Sequence, residues 1–196
     1  RLMRIAVVND DMPFLVDSVA AAFAAQGLTI DLLVHPIVPV ERSRGKLTAL
    51  PQAGERRESM IYLETARVDA RERRALEKAL ETTLADVRAA VSDWPAMVER
   101  IEADARSIGD PEGAALLRWL GGGMLTLLGH VTRHRGGGTA EALGICRKSA
   151  RELLAADSYT RAFAWFDANG RPGPLIVKAN RLSKVHRRVP LDLFIV

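Results

Sequence analysis

Leu76, Leu80, Leu84, Val87, Val91 and Trp94 recur at steps of four and three, and this stripe constrains the fold more than any other feature of the chain. Such spacing lines one face of a helix with apolar side chains, and that face must be buried against a second layer. Asp69, with Glu72 three residues later, supplies a capping box at its start. Trp94-Pro95 is read as its end, because a residue before proline is pushed out of the helical region. Ahead of this helix, residues 4–8 (Ile5-Ala6-Val7-Val8 within them) read as a strand. Residues 12–26 read as a helix, with Leu15, Val16, Val19 and Phe23 at helical spacing and Gly27 as its stop. Residues 28–40 form a long extended run in which Ile30, Leu32 and Val34 alternate, and Pro36 and Pro39 mark a bend or an edge. Residues 41–58, polar and holding Gly45, Pro51 and Gly54, read as a loop, and residues 59–65 as another strand. The order β-α-β-β-α is one strand short of a ferredoxin-like βαββαβ unit, so the class is α+β.

The second half is less regular. Residues 96–108 read as a polar helix, and Asp110-Pro111 as the start of the next, carrying Leu116, Leu117 and Leu120. Gly121-Gly122-Gly123 breaks it. Met124 to Val131 then reads as a strand, 132–142 as a loop, Leu143 to Arg147 as a short strand and 149–156 as a helix. A β-hairpin closes the chain, Leu175–Lys178 against Val189–Val196. The expected organisation is a domain over 1–95, a helical connector over 96–122 and a second, smaller α+β unit over 123–196.

Several function classes are excluded. No apolar run reaches the roughly 18 residues that suggest a membrane span, and the longest, Leu28 to Val40, is interrupted by Asp31, His35, Pro36 and Pro39. Cys146 is the sole cysteine, so there is no internal disulfide, and a reducing, cytoplasmic compartment is expected. A net charge of +4, from 28 basic and 24 acidic side chains, is too small to imply nucleic acid without a concentrated patch. The chain opens on Arg1 rather than Met and stops in the apolar run Phe194-Ile195-Val196, so a fragment of a longer protein is expected.

The chemistry-bearing patterns are sparse. Gly121-Gly122-Gly123 follows a helix and precedes a strand, the reverse of a dinucleotide loop. His130 and His134, on a strand running into a loop, lie roughly 13 Å apart and cannot share one metal ion. Cys146 sits in an apolar context that makes it inert packing. Ser183 and His186 point to opposite faces of an extended run. No catalytic, cofactor-binding or metal-ligating residue is therefore assigned. Lys178, Arg181, Lys184, Arg187 and Arg188 form a basic run without interleaved aromatics, read either as a phosphate or nucleic-acid contact or as a solvated turn paired with Glu99, Glu102 or Asp104. Asn9-Asp10-Asp11, between the first strand and the first helix, is the remaining candidate. Asp10 or Asp11 caps the helix, Pro13 occupies its first turn, and the exposed N–H groups there suit a small effector or a partner subunit.

Asn9-Asp10-Asp11-Met12-Pro13-Phe14-Leu15-Val16-Asp17-Ser18, Gly27-Leu28-Thr29-Ile30 and Val34-His35-Pro36 resemble the N-terminal region of the large bacterial NAD-specific glutamate dehydrogenases. Asp86–Pro95, Leu117-Arg118-Trp119-Leu120, Lys178-Ala179-Asn180, Ser183 and Val185-His186-Arg187 are similar to later stretches of the same family. The resemblance implies an ACT-type regulatory domain over about 1–95, a βαββαβ module that binds amino acids or pairs with its own kind. Such modules open on Asp-x-Pro-Gly, and Phe14 stands here where that glycine would be, a departure that bears on close approach of a ligand to the backbone. The fourth strand comes from Met124–Val131, from a neighbouring module, or is absent. The second unit is sensor-like, of PAS type by family analogy. The parent enzyme oxidatively deaminates L-glutamate to 2-oxoglutarate with NAD, its catalytic groups lying downstream of this segment. The implied partners are that downstream catalytic domain, a second copy in a homo-oligomer and a small amino-acid effector. A purely structural oligomerisation module and a basic phosphate- or nucleic-acid-binding module are the alternatives.

Overall fold

A computed structural model describes residues 2–134, 138–147, 149–150, 153–170 and 173–196. The class is α+β, and every strand pairing among the described residues is antiparallel. The chain forms two compact units, Arg1–Leu84 and Ala85–Val196.

In the first unit, β1 (Leu2–Asp10), α1 (Leu15–Ala25), β2 (Ile30–Val34), β3 (Ile37–Pro39), β4 (Glu41–Ser43), β5 (Lys46–Ala49) and β6 (Arg57–Ala66) precede the start of the long helix α2 (Ala70–Ser107). The sheet runs β1-β6-β2, and β3 also pairs with β6. Period-two alternation sorts the faces. Val7 on β1 and Ile61, Leu63 and Thr65 on β6 are buried, while Val8 is exposed. Leu15, Val19 and Phe23 of α1 and Leu76 and Leu80 of α2 complete the buried set. Each large apolar side chain removed from water contributes about 1.5–3 kcal/mol.

Local signals explain much of this. Asp69 Oδ1 accepts from the N–H groups of Arg71 (2.7 Å) and Glu72 (2.8 Å), and Glu72 Oε2 accepts from Asp69 N–H (3.1 Å), the expected capping box. α1 closes as expected at Gly27, whose φ is +70°. Leu28 N–H bonds Phe23 O (3.0 Å) and Gly27 N–H bonds Ala24 O (3.1 Å), a Schellman arrangement.

Four readings of this half are corrected. The first helix does not span 12–26; it begins at Leu15, after Pro13. The extended run 28–40 is split at His35-Pro36 into β2 and β3, yet Pro36 O still accepts from Met60 N–H at 3.0 Å, so both pieces stay on β6. The loop expected over 41–58 holds the hairpin β4–β5, which turns through Arg44 (φ 51°) and Gly45 (φ 79°), the paired positive φ of a tight two-residue hairpin turn. Finally, the long helix does not stop at Trp94-Pro95 but carries Pro95 in its interior as far as Ser107. Proline removes one intrahelical bond. Buried Ala90, Met97 and Ala105 on either side offset that loss, whereas Trp94, expected on the buried stripe, is 47% exposed and its neighbour Asp93 is buried instead.

The second unit continues with α3 (Pro111–Trp119), a π-helical turn (Leu120–Met124), β7 (Gly129–Arg133), β8 (Thr139–Gly144), a 3-10 turn (Ile145–Arg147), α4 (Ala156–Asn169), β9 (Leu175–Leu182) and β10 (Pro190–Ile195). Asp110 caps α3 as expected, its Oδ2 accepting from Gly113 N–H at 2.8 Å. The closing hairpin is β9–β10, with Lys178 opposite Asp192. The strand expected over Met124–Val131 instead starts at Gly129 and pairs with β8, so it does not supply a fourth strand to the sheet of the first unit. β8 occupies part of the expected loop 132–142, Gly136 and Gly137 lying outside the described residues. Leu143 to Arg147 is a strand end and a 3-10 turn rather than a strand. The helix expected over 149–156 is α4, which begins only at Ala156; residues 151–152 lie outside the described residues. Its signal was Tyr159, Ala162, Phe163 and Phe166 at helical spacing, closed by Gly170 at φ 66°. No helix among the described residues is long and apolar enough to cross a membrane.

Candidate functional site

The turn from β1 into α1 carries Asn9, Asp10 and Asp11, and antiparallel pairing brings the start of β6 beside it, with Asn9 opposite Ser59 and Asp10 opposite Glu58. Asn9 is buried and donates from Nδ2 to Asp10 O at 2.7 Å. Asp10 Oδ1 pairs with the Arg56 guanidinium at 3.0 Å. Asp11 Oδ1 accepts from the Ser59 hydroxyl at 2.7 Å, and Asp11 N–H bonds Arg57 O at 3.0 Å. The structure thus joins the acidic turn to the segment Arg56-Arg57-Glu58-Ser59.

Neither Asp10 nor Asp11 caps the helix. Phe14 is the N-cap, at φ 70° and ψ 0°, and no side chain caps this terminus. The reason is competition. Asp11 is drawn across to the buried Ser59 hydroxyl, and Asp10 is the last residue of β1, drawn to Arg56. The chain then enters α1 through a left-handed residue, and Ser18 N–H bonds Phe14 O at 3.0 Å. Backbone N–H groups of a first helical turn carry partial positive charge and suit anionic groups.

A second charged group flanks the turn. The Glu58 carboxylate, 3% exposed, receives both Arg42 Nε (2.6 Å) and Nη2 (2.8 Å), and Arg56 lies 3.3 Å away. Such a fork-to-fork pair is strong and directional. Arg42 hydrogen bonding holds the Glu58 carboxyl below the usual glutamate range against the opposing effect of burial, and the same bond raises Arg42. Arg42 also donates to Gly45 O at 2.9 Å within its own hairpin, so its pair with Glu58 ties β4–β5 to the start of β6. Sequence reading found the turn but not Arg42, Arg56, Glu58 or Ser59. Their only signal was the charged step Arg56-Arg57-Glu58 just ahead of an apolar strand.

The remaining patterns separate in space or are absorbed by packing. His130, on β7, meets Asp104 with Nε2 to Oδ2 at 2.9 Å, and His134 follows the strand end. Cys146 is buried, and desolvation pushes its thiol up to about 11, so it is protonated at neutral pH. Ser183 Oγ donates to Val185 O (2.8 Å) and accepts from Val185 N–H (3.0 Å), a local turn rather than a partner for His186. In the basic run, Lys178 pairs with Asp192 at 2.6 Å and Arg181 donates to Ser149 O at 3.2 Å. Two of the acids expected to pair with that run meet other partners: Glu102 pairs with Arg118 at 3.1 Å, and Asp104 with His130.

Residues 2–80 match the family model described as glutamate dehydrogenase, ACT1 domain. An NAD-specific glutamate dehydrogenase of Halomonas elongata is 35% identical over 144 residues, which cover 64% of this chain and 9% of that protein. An NAD-specific glutamate dehydrogenase of Pseudomonas aeruginosa is 38% identical over 122 residues, 59% of this chain and 7% of that protein. The chain therefore spans less than a tenth of the curated relatives it matches. No solved structure matches it.

Proposed function

From a chain whose residues 2–80 belong to the ACT1 domain family of glutamate dehydrogenases, we propose an N-terminal regulatory and assembly segment of a cytoplasmic NAD-specific glutamate dehydrogenase. The whole enzyme would deaminate L-glutamate oxidatively to 2-oxoglutarate, with NAD and the catalytic groups held by domains outside this segment. The second unit would be a further sensor, of PAS type. Its partners would be the catalytic domain of the same chain and other copies of the protein.

Within the segment, the turn Asn9-Asp10-Asp11 would contact a small amino-acid effector or a partner subunit. The observation that carries this is the entry to α1, where a left-handed Phe14 replaces a side-chain cap. An effector's carboxylate would meet the first-turn N–H groups, and its ammonium the acidic turn. Thermal melting of the chain with each of the twenty amino acids at millimolar concentration tests it, because a ligand of the folded state raises Tm by mass action. Asp11→Ala should abolish the shift. No shift from any amino acid would remove the effector reading and leave the partner contact.

A structural assembly role has its own support. Cross-strand register places Ala6, Tyr62 and Val34 in one row of the sheet, with Val8 and Met60 beside them. Val8, Val34 and Leu32 are 55%, 47% and 45% exposed on a face that also carries the Arg4–Glu64 ion pair, and exposed apolar side chains grouped in this way mark contact surfaces. Light scattering should report a dimer or larger species, and a strict monomer would count against self-association. The alternative of phosphate or nucleic-acid binding by residues 178–188 requires affinity that falls steeply with salt.

A further inference from the structure

The second unit holds a cavity of about 340 Å³, independent of the turn discussed above and walled largely by apolar side chains such as Ile101, Leu117, Leu128, Phe163 and Phe194. At about 30 Å³ per water in the liquid, that is room for an organic molecule of roughly a dozen non-hydrogen atoms. It falls at the small end of ligand sites, which pair apolar walls with a few placed polar groups.

The polar groups here are specific. Asp104, His130, Arg133 and Tyr159 line the same cavity. His130 Nε2 and Asp104 Oδ2 lie 2.9 Å apart, and in the tautomer whose Nε2–H donates to that carboxylate Nδ1 is an acceptor. That Nδ1 is buried and has no hydrogen-bond partner among the described residues. Arg133 stands with its guanidinium carbon 3.8 Å from the centre of the Tyr159 ring, and the Tyr159 hydroxyl is itself fixed by Leu154 N–H at 3.1 Å. A cavity that served packing alone would have no use for an imidazole nitrogen left without a donor in its wall, since unsatisfied buried polar atoms cost stability.

We propose that this cavity binds a small apolar monocarboxylic acid, its hydrocarbon body among Leu117, Phe163 and Phe194 and its carboxyl group toward His130 and Arg133. The carboxylate binds together with one proton taken up from solvent: that proton lies between one carboxyl oxygen and His130 Nδ1, and the other oxygen faces the Arg133 guanidinium, whose charge it complements. Asp104, engaged by the opposite ring nitrogen, keeps the imidazole oriented. A cationic ligand would be repelled by the Arg133 charge, and a purely hydrocarbon one would leave His130 Nδ1 without a donor.

The test uses the 196-residue chain with 4-phenylbutanoate and, as the uncharged control of equal size, 4-phenylbutanol. Titration calorimetry should give saturable one-to-one binding of the acid, with the alcohol at least tenfold weaker. Methyl NMR of the unaltered chain should shift Ile101, Leu117 and Leu128 and leave Val19 of the first unit unmoved. His130→Leu should erase the advantage of the acid over the alcohol. No saturation up to 5 mM, equal binding of acid and alcohol, shifts spread into the first unit, or an undiminished preference in His130→Leu would each overturn the proposal. The wild-type NMR map decides even if the variant fails to fold.

Discussion

The Ser59 hydroxyl donates to Asp11 Oδ1 at 2.7 Å, joining residues 48 apart in sequence and fixing the direction of the turn's outer carboxylate. Ser59 is fully buried, so its hydroxyl depends on that acceptor. Ser59→Ala should cost about 1–2 kcal/mol, the worth of a hydrogen bond to a charged group partly open to water. Asp11→Ala should cost at least as much, because it strands the buried hydroxyl. Urea denaturation of both single variants and the double variant checks this. The double variant should lose less than the sum of the two.

The Arg42–Glu58 pair makes stability depend on acid. Hydrogen bonding from Arg42 keeps the folded-state value of Glu58 below that of the unfolded chain. The ionised form is therefore favoured by folding. Its contribution is complete above the unfolded glutamate value, about 4.3, and is lost as pH falls through the folded value. Glu58→Gln should lower Tm at pH 7, and the gap from wild type should narrow as pH falls from 5 toward 3. A gap constant with pH would deny the ionic character of the pair.

Asp86 should behave with the opposite sign. It is buried on α2, and desolvation raises its carboxyl despite the Ser149 hydrogen bond and the Lys184 charge. For an acid with a raised folded value, stability is unpenalised below the unfolded value, about 3.9, and declines as pH rises through the folded one. Asp86→Asn keeps hydrogen-bonding capacity without the charge. Thermal melts should show it more stable than wild type at pH 7, with the gain vanishing below pH 4.

What could be read from sequence was what neighbouring residues decide. The capping box of Asp69 and Glu72, the Gly27 stop and the Asp110 cap close within a few residues, and each formed as expected. The readings that failed were settled by distant partners. Asp11 looked like a cap but was taken by Ser59, and Pro95 looked like a stop but lies between turns buried on both sides. The guanidiniums that pair with Asp10 and Glu58 come from a segment read as loop, where only Arg44-Gly45 hinted at a hairpin.

Phe14 enters α1 at a φ of 70°, the conformation that favours glycine. A left-handed backbone costs a side-chain-bearing residue roughly 1–2 kcal/mol. Comparing Phe14→Gly with Phe14→Ala isolates that cost, since both lose the half-buried ring. The glycine variant should be the more stable by about 1 kcal/mol in denaturant titrations. At an ordinary φ the order reverses, because glycine loses more entropy on folding, so an alanine advantage would show that the turn relaxes to a negative φ.

Pro95 is exposed in the interior of α2, a 38-residue helix, so its cost is not repaid by contacts of its own ring. An internal proline destabilises a helix by about 3 kcal/mol relative to alanine, part of it a lost bond to the carbonyl four residues back. Pro95→Ala restores that donor without altering the buried neighbours Asp93 and Met97. It should raise stability by about 1–3 kcal/mol in urea titrations and increase the helical circular dichroism signal slightly. Asp93 accepts from Gly144 N–H at 2.7 Å and from Arg147 at 2.6 Å, so a bend at Pro95 that set Asp93 against β8 would reverse the sign. A loss of stability in Pro95→Ala, restored by no change at Trp94, would assign the proline that positioning role.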